Sequence, residues 1–298
     1  MLSLPDESDR RLPAQLRLKF LEALDVWRVR EDNVPALGCG CGAVAIAQLD
    51  LEPEPLGVFA RQRDRITRDV DPGHLRVCPL VLQRKRNRPG SNADVEALRE
   101  HLGVEQLDLL GFSHGGMVAM AYAAAYGPCV RRLVLAGTLA LWDDEAQAAM
   151  ERGIEARRGE PWFDEAQRAI AEEQAGDFSS VDDLIANTQR QAPLYFHRWE
   201  GNERVGRELF SDFAYSEPLH QFNTVEFPTL DLRPELRAIA APTLVVAGED
   251  DMIAGPVCGE AIVRELSDGR LVTIPATGHF LYVEQPEAFS AALTQFLL

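Results

Sequence analysis

The stretch LDLLGFSHGGM, residues 107–117, decides the fold of this chain of 298 residues. Its apolar start, Leu107 to Leu110, predicts a short buried strand, and the Ala-rich segment Met117 to Tyr126 predicts a helix that ends at Gly-Pro. A Gly-x-Ser-x-Gly between a strand and a helix is typical of a nucleophile elbow. There the serine, here Ser113, occupies a strained turn, and the glycines let strand and helix approach each other. The alternative is that Ser113 only caps the helix.

A nucleophilic serine needs a histidine to take its proton and an acid to orient that histidine. In folds with this elbow the order along the chain is Ser, then Asp or Glu, then His. His279 follows the apolar run Leu271 to Ile274, in a loop where such a base is expected, although a purely structural histidine would also fit there. The β-rich segment after Pro242 ends in three carboxylates that the sequence alone does not separate: Glu249, Asp250 and Asp251.

The segments around Ser113, the three carboxylates and His279 together resemble the α/β-hydrolase superfamily. The resemblance implies an α/β fold with a mostly parallel central sheet, helices on both faces and an inserted helical cap. It also implies Asp251 as the acid, because the acid of that superfamily usually closes a Gly-x-x-Asp, with Asp250 as the alternative. The Gly-Phe-Ser-His-Gly-Gly form and the ending GHF…EQPEAF make residues 93–298 similar to bacterial prolyl-aminopeptidases (proline iminopeptidases).

The alternation of strands and helices is interrupted between residues 138 and 231 by acidic, amphipathic segments. An insertion at this point is the usual place for a helical cap, which excludes water and supplies walls for the substrate. We therefore expect a hydrolase core formed by residues 1–137 and 232–298, and a cap formed by residues 138–231.

The stretch 27–92 departs from the family pattern. Gly-Cys-Gly-Cys-Gly at residues 38–42 lies where the family has a turn that supplies an oxyanion donor, but the usual His-Gly start is missing. The stretch is also basic, with 11 basic and 8 acidic residues in a chain of net charge −17. A diverged loop and a locally shifted reading frame both explain it, and resequencing the DNA distinguishes them. The expected oxyanion donors are backbone N–H groups, those of His114, Gly38, Cys39 and Gly40.

Composition excludes several other classes of protein. The net charge of −17 argues against nucleic acid as a partner. No segment approaches the roughly 20 apolar residues of a membrane span, and the N-terminus shows no signal-peptide pattern. Five irregularly spaced cysteines favour a reducing cytoplasm. Cys39 and Cys41 are too close for the usual zinc-ligand spacing, and no metal, nucleotide or organic cofactor is expected.

The sequence therefore predicts a serine hydrolase that cleaves an ester or amide bond of a small molecule or short peptide through an acyl-enzyme. The resemblance implies an N-terminal prolyl or aminoacyl bond as the target. Two alternatives stay open: a weakly active or non-catalytic ligand-binding protein with this fold, and a cofactor-free haloperoxidase or acyltransferase. The sequence leaves the oligomeric state open.

Overall fold

The computed structural model describes residues 39–48, 76–83, 92–176, 178, 180–211 and 225–297. Within these residues one sheet has six strands in the order β2-β1-β3-β4-β5-β6. The strands are β1 Cys39–Gln48, β2 Arg76–Gln83, β3 Leu107–Phe112, β4 Val130–Ala136, β5 Thr243–Gly248 and β6 Gly269–Ile274. Strands β3 to β6 are parallel, whereas β1 is antiparallel to both β2 and β3. The prediction of a mostly parallel sheet is confirmed.

The described residues form ten α-helices, which lie before, between and after the parallel strands along the chain. In chain order they are α1 Asn92–Leu102, α2 His114–Ala125, α3 Asp144–Glu155, α4 Phe163–Ala175, α5 Val181–Gln191, α6 Glu203–Ser211, α7 Arg233–Ala238, α8 Pro256–Glu265, α9 Leu281–Glu284 and α10 Pro286–Leu297. In the part of the chain that the structure describes, no helix has both the length and the apolar character needed to cross a membrane.

The central parallel strands β4 and β5 are largely buried on both faces of the sheet. Successive side chains of a strand point to opposite faces. Leu133 and Leu135 of β4 join an apolar cluster with residues of α1, α2, α7 and α8, whereas Val134 and Ala136 join a second cluster with residues of α9 and α10. Burial on both faces explains why these strands are nearly continuous apolar runs, and the predicted layer of helices on each face is confirmed.

Helices α3 to α6 occupy the segment between β4 and α7 where the cap is predicted. Asp143 and Ser180 cap α3 and α5, each accepting a hydrogen bond from a backbone N–H of the first turn. Phe196 and Phe210 of this segment pack against Phe280, next to the predicted catalytic base. The division into a core of residues 1–137 and 232–298 and a cap of residues 138–231 stays a prediction.

The N-terminal turn expected around residues 38–42 differs from the structure. Cys39 and Gly40 belong to β1 instead of a turn, with irregular pairing to β2 between Cys39 and Ala43, while Gly38 lies outside the described residues. The β-branched residues Val44 and Ile46 favour a strand, and pairing with β2 and β3 gives the backbone groups of that strand hydrogen-bond partners. The choice between a diverged loop and a shifted reading frame stays a prediction.

Candidate active site

Ser113 occupies the sharp turn between β3 and α2. Its φ of 54° and ψ of −127° are values that residues with a side chain rarely adopt. Two hydrogen bonds anchor the turn to the end of β4. The Ser113 N–H donates to the Ala136 carbonyl at 3.0 Å, and the buried hydroxyl of Thr138 donates to the Ser113 carbonyl at 2.7 Å. The neighbouring strand therefore holds the strained conformation of Ser113.

Gly111 explains how closely β3 and α2 approach each other. A Cβ atom at this position would lie 2.4 Å from the carbonyl oxygen of Gly115 and 2.7 Å from the Cα of Gly116. Both are backbone atoms, so no side-chain rotation would relieve the contact. The first glycine of the motif is thus required by the packing of the elbow itself.

We expect Gly111→Ala to lower the free energy of unfolding by about 1–3 kcal/mol, the usual effect of overpacking a closely packed site. Urea unfolding followed by circular dichroism measures it. Gly127→Ala is the matched control, because a Cβ there meets nothing within 4 Å, and we expect a change within about 0.5 kcal/mol. Equal changes in the two variants would contradict the packing argument.

The loop after β5 separates the three carboxylates that the sequence left together. Glu249 is exposed. Asp250 is partly exposed, and its Oδ2 lies 2.7 Å from Nδ1 of His197. Asp251 is only 7% exposed, and its Oδ2 lies 2.8 Å from Nδ1 of His279. Asp251 is therefore the carboxylate that lies against His279.

The three side chains predicted as nucleophile, base and acid form a continuous series of hydrogen-bonding contacts. Nε2 of the buried His279 lies 3.1 Å from Oγ of Ser113. Oδ1 of Asp251 accepts from the backbone N–H groups of Ile253 and Ala254, at 2.9 and 3.1 Å, which leaves Oδ2 for His279. Because an ionised carboxylate can only accept, neutral His279 carries its proton on Nδ1 and presents Nε2 as an acceptor to the Ser113 hydroxyl.

Opposing effects act on the ionisation of Asp251. Burial raises the pKa of this carboxyl group, but the charge and hydrogen bond of His279, together with the Ala254 and Ile253 N–H groups, outweigh burial. The net result is a pKa below the ordinary value. Asp251 is therefore ionised at neutral pH although it is buried, as an acid that orients a histidine must be.

Aromatic rings surround His279. Ring centroids of Phe112, Phe280 and Tyr195 lie 5.0, 5.5 and 5.8 Å from the imidazole centroid. Burial raises the pKa of the Tyr195 phenol, so this ring adds no charge at neutral pH. Apolar walls of this kind exclude water and strengthen the electrostatic interactions inside them.

The residues predicted to supply oxyanion donors lie in different elements of the structure. His114 is the first residue of α2, so its backbone N–H lies at the positive end of the helix dipole. Val44 of β1 pairs antiparallel with Gly111 of β3, so β1 begins at the same edge of the sheet as Ser113. The roles predicted for Cys39 and Gly40 at this edge stay predictions, and Gly38 is not among the described residues.

Sequence reasoning gave no individual role to several residues that lie around the three side chains. They are Thr138, Arg157, Tyr195, His197 and Glu284. The sequence did point to Glu284, because this residue is the first glutamate of the GHF…EQPEAF ending that carries the family resemblance. The others lie outside the quoted motifs, and only their contacts in the folded chain identify them.

The sequence profile of the family described as alpha/beta hydrolase fold matches residues 89–286 of this chain. The match extends from before α1 to the start of α10, and therefore includes Ser113, Asp251 and His279. The chain belongs to the α/β-hydrolase fold family and is an enzyme of the α/β-hydrolase class.

Individual proteins similar to this chain in sequence or structure are also hydrolases or related enzymes by name. The chain is similar to the proline iminopeptidase of Levilactobacillus brevis, 28% identical over 221 residues that cover 69% of each chain. A solved hydrolase from Pseudomonas aeruginosa PA01 is 28% identical, with a TM-score of 0.50 and coverage of 69% of this chain and 70% of that one. A solved Mycobacterium tuberculosis protein, provisionally named non-heme bromoperoxidase BpoC, is 25% identical, with a TM-score of 0.52 and coverage of 69% and 72%. The predicted similarity to proline iminopeptidases is confirmed.

Proposed function

We propose that this enzyme is a serine hydrolase that cleaves an ester or amide bond of a small molecule or short peptide through an acyl-enzyme. The observation that carries the proposal is the buried series of contacts from Asp251 through His279 to Ser113, with distances of 2.8 and 3.1 Å. A serine hydroxyl is a weak nucleophile at neutral pH, and this arrangement supplies the base it needs and the acid that orients the base.

In the proposed reaction, Ser113 Oγ attacks the substrate carbonyl carbon while Nε2 of His279 takes the hydroxyl proton. The resulting imidazolium keeps its Nδ1–H bonded to Asp251, whose negative charge stabilises it. Collapse of the tetrahedral intermediate breaks the bond to the leaving group, which receives the proton from Nε2. Water then attacks the acyl-enzyme, His279 takes a proton from this water, and the proton returns to Ser113 Oγ as the acid product leaves.

The intermediate carries a negative charge on the former carbonyl oxygen. We assign one donor for this oxygen to the backbone N–H of His114, because it opens α2 beside Ser113 and the dipole of α2 adds positive potential there. The second donor is proposed among the N–H groups of Gly38, Cys39 and Gly40, as the resemblance implies. Loss of one such donor reduces kcat by about 10²–10³-fold in serine hydrolases.

The relatives suggest the substrate. Proline iminopeptidases of lactic acid bacteria are 24–28% identical to this chain, which favours a substrate with an N-terminal prolyl or aminoacyl group. The relative provisionally named a bromoperoxidase favours a cofactor-free haloperoxidase as a second candidate. An esterase or an acyltransferase would use the same three side chains, and a ligand-binding protein would keep them without turnover.

We also propose that the enzyme acts in the cytoplasm, without nucleic acid as a partner. Both cysteines whose side chains the structure describes, Cys129 and Cys258, are free thiols, as expected in a reducing compartment. The net charge of −17 would repel a phosphate backbone.

A small substrate panel tests the proposed function. We expect hydrolysis of p-nitrophenyl acetate and butyrate and of prolyl-p-nitroanilide, with N-acetylprolyl-p-nitroanilide as the control that lacks a free amine. Cleavage of the prolyl substrate but not of its acetylated form supports the aminopeptidase assignment, and cleavage of the esters alone identifies an esterase. Halogenation in the presence of peroxide and acetate would favour the second candidate. No turnover of any substrate would contradict the proposed function.

A further inference from the structure

A short segment of the insertion, residues 195–198, lies against both the loop that carries Asp251 and the loop that carries His279. The backbone N–H of His279 donates to the Tyr195 carbonyl at 2.7 Å. The contact is between backbones, because a Cβ atom added at Gly278 would lie 2.4 Å from the Tyr195 carbonyl oxygen and 2.7 Å from the His197 nitrogen. The position of the His279 loop is therefore tied to the position of this segment.

The carboxylate of Glu284 binds both partners of this contact. Oε2 accepts from the backbone N–H of Gly278 at 2.7 Å, and Oε1 accepts from the N–H of His197 at 2.9 Å and of Arg198 at 3.3 Å. Oε2 also accepts from the His197 N–H at 3.2 Å, so both oxygens are used as acceptors and the two chain segments share this carboxylate. Because N–H donors face both oxygens, the side chain here must accept at both positions without donating. An ionised carboxylate does this, whereas a side-chain amide has one oxygen and one NH₂ group.

Arg157, two residues after the end of α3, also binds this segment. Its Nη2 donates to the Phe196 carbonyl at 3.1 Å and to the Asp250 carbonyl at 2.9 Å, and its Nη1 donates to the Gly153 carbonyl at 2.6 Å. The guanidinium therefore connects α3, residues 195–198 and the loop of Asp251. Burial lowers the pKa of Arg157, while the carboxylates of Asp250 and Glu284 oppose that shift.

We propose that Glu284 and Arg157 are positioning residues that fix the loops of His279 and Asp251 against residues 195–198. Neither side chain is in hydrogen-bond contact with Ser113, Asp251 or His279. Each acts through backbone groups next to those residues, with Glu284 holding Gly278 and Arg157 holding the carbonyl of Asp250. The inference rests on the proposed function, because it assigns these two residues to the geometry of that reaction.

Glu284→Gln tests the proposal. The amide has one acceptor oxygen, so its NH₂ group must face either Gly278 N–H or the N–H groups of residues 197 and 198, and one contact is lost. We expect kcat for p-nitrophenyl butyrate to fall about 10–100-fold with little change in KM, as for a displaced catalytic group. Glu287→Gln is the matched control, because it removes the same charge from an exposed side chain three residues away. Glu284→Asp keeps two acceptors and should recover part of the rate.

A second measurement does not depend on turnover. Histidine labelled with ¹³C at Cε1 gives an NMR signal for His279, assigned by its loss in His279→Gln, and we expect this signal to shift or broaden in Glu284→Gln but not in Glu287→Gln. Glu284→Gln that matches Glu287→Gln in kcat and in this signal would overturn the proposal. A wild-type enzyme without turnover, combined with a shifted signal in Glu284→Gln, would refute the proposed function and support the positioning role.

Folding of the variants is checked by circular dichroism. If Glu284→Gln does not fold, Arg157→Lys replaces it, because an ammonium group keeps the charge but lacks the planar fork that reaches several carbonyls at once. The expected result is again a lower kcat with a shifted His279 signal. Wild-type values for both in Arg157→Lys would overturn the proposal.

Discussion

Replacing Ser113 with alanine is expected to abolish covalent labelling by a fluorophosphonate probe and to lower kcat for p-nitrophenyl butyrate by about 10⁶-fold. In the proposed reaction the Oγ atom of Ser113 forms the covalent bond to the substrate carbonyl carbon. Nε2 of His279 lies 3.1 Å from this atom. Alanine has the same Cβ atom as serine, so the substitution adds no backbone strain at the positive φ of this turn. The backbone bonds to Ala136 and from Thr138 are also kept, so the loss reports chemistry and not a collapsed elbow.

Ser267→Ala is the control for labelling at an unrelated serine. Ser267 precedes β6, whereas Ser113 follows β3, so the two serines lie at opposite edges of the parallel sheet. Its hydroxyl donates to the Ile239 carbonyl, and we expect wild-type labelling in this variant. Full labelling of Ser113→Ala, detected by in-gel fluorescence and mass spectrometry, would show that another residue is the nucleophile.

The elbow could be predicted because its determinants are local. A short apolar strand, two glycines around a serine and an Ala-rich helix are adjacent in the sequence, and each residue type has a physical reason to be there. The fold class followed from the resemblance of this elbow, and of the segments around Asp251 and His279, to the α/β-hydrolase superfamily. His279 could be found in the same way, from its place after the last strand of the sheet.

The choice among Glu249, Asp250 and Asp251 could not be made from residue chemistry, since three adjacent carboxylates have the same pattern. In the structure the turn places Asp251 against His279, because the N–H groups of Ile253 and Ala254 bind Oδ1 of Asp251 and direct the other oxygen toward His279. The roles proposed for Glu284 and Arg157 also could not be derived from residue chemistry, although Glu284 belongs to the ending that carries the family resemblance. Their partners are backbone groups of segments distant in sequence, and a backbone N–H or carbonyl leaves no trace in residue type.

The expected turn at residues 38–42 was a different kind of error. Glycines are common in turns, but they also occur where a strand bends or pairs irregularly. The irregular pairing of β1 with β2 between Cys39 and Ala43 fits that second use. Sequence could not decide between the two uses, because the deciding contacts are with β2, a separate strand of the sheet.

Asp251→Asn is expected to lower kcat by about 10⁴-fold while the protein stays folded. Asparagine has one oxygen and one NH₂ group. The N–H groups of Ile253 and Ala254 require the oxygen at the position of Oδ1, so the NH₂ group must face Nδ1 of His279. Nδ1 then has to accept, and the proton moves to Nε2, which can no longer take the proton of Ser113. Steady-state kinetics with p-nitrophenyl butyrate measures the effect.

Asp250→Asn separates this effect from a general loss of charge in the same loop. Asp250 lies against His197 in a partly exposed pair. Such pairs contribute about 1 kcal/mol or less to stability, so we expect kcat to change by less than about fivefold. A larger loss in Asp250→Asn than in Asp251→Asn would make Asp250 the acid.

The pH dependence of stability gives an independent check of Asp251. Its pKa is lowered in the folded state, so ionisation of Asp251 stabilises the fold above the unfolded pKa of about 3.9. This contribution is lost as the pH falls through the lower pKa of the folded state. Asp251→Asn lacks the contribution at every pH, so urea unfolding should show the largest difference from the wild type near neutral pH and a smaller one below about pH 4. A difference that is independent of pH would mean that the charge of Asp251 is not what stabilises its contact with His279.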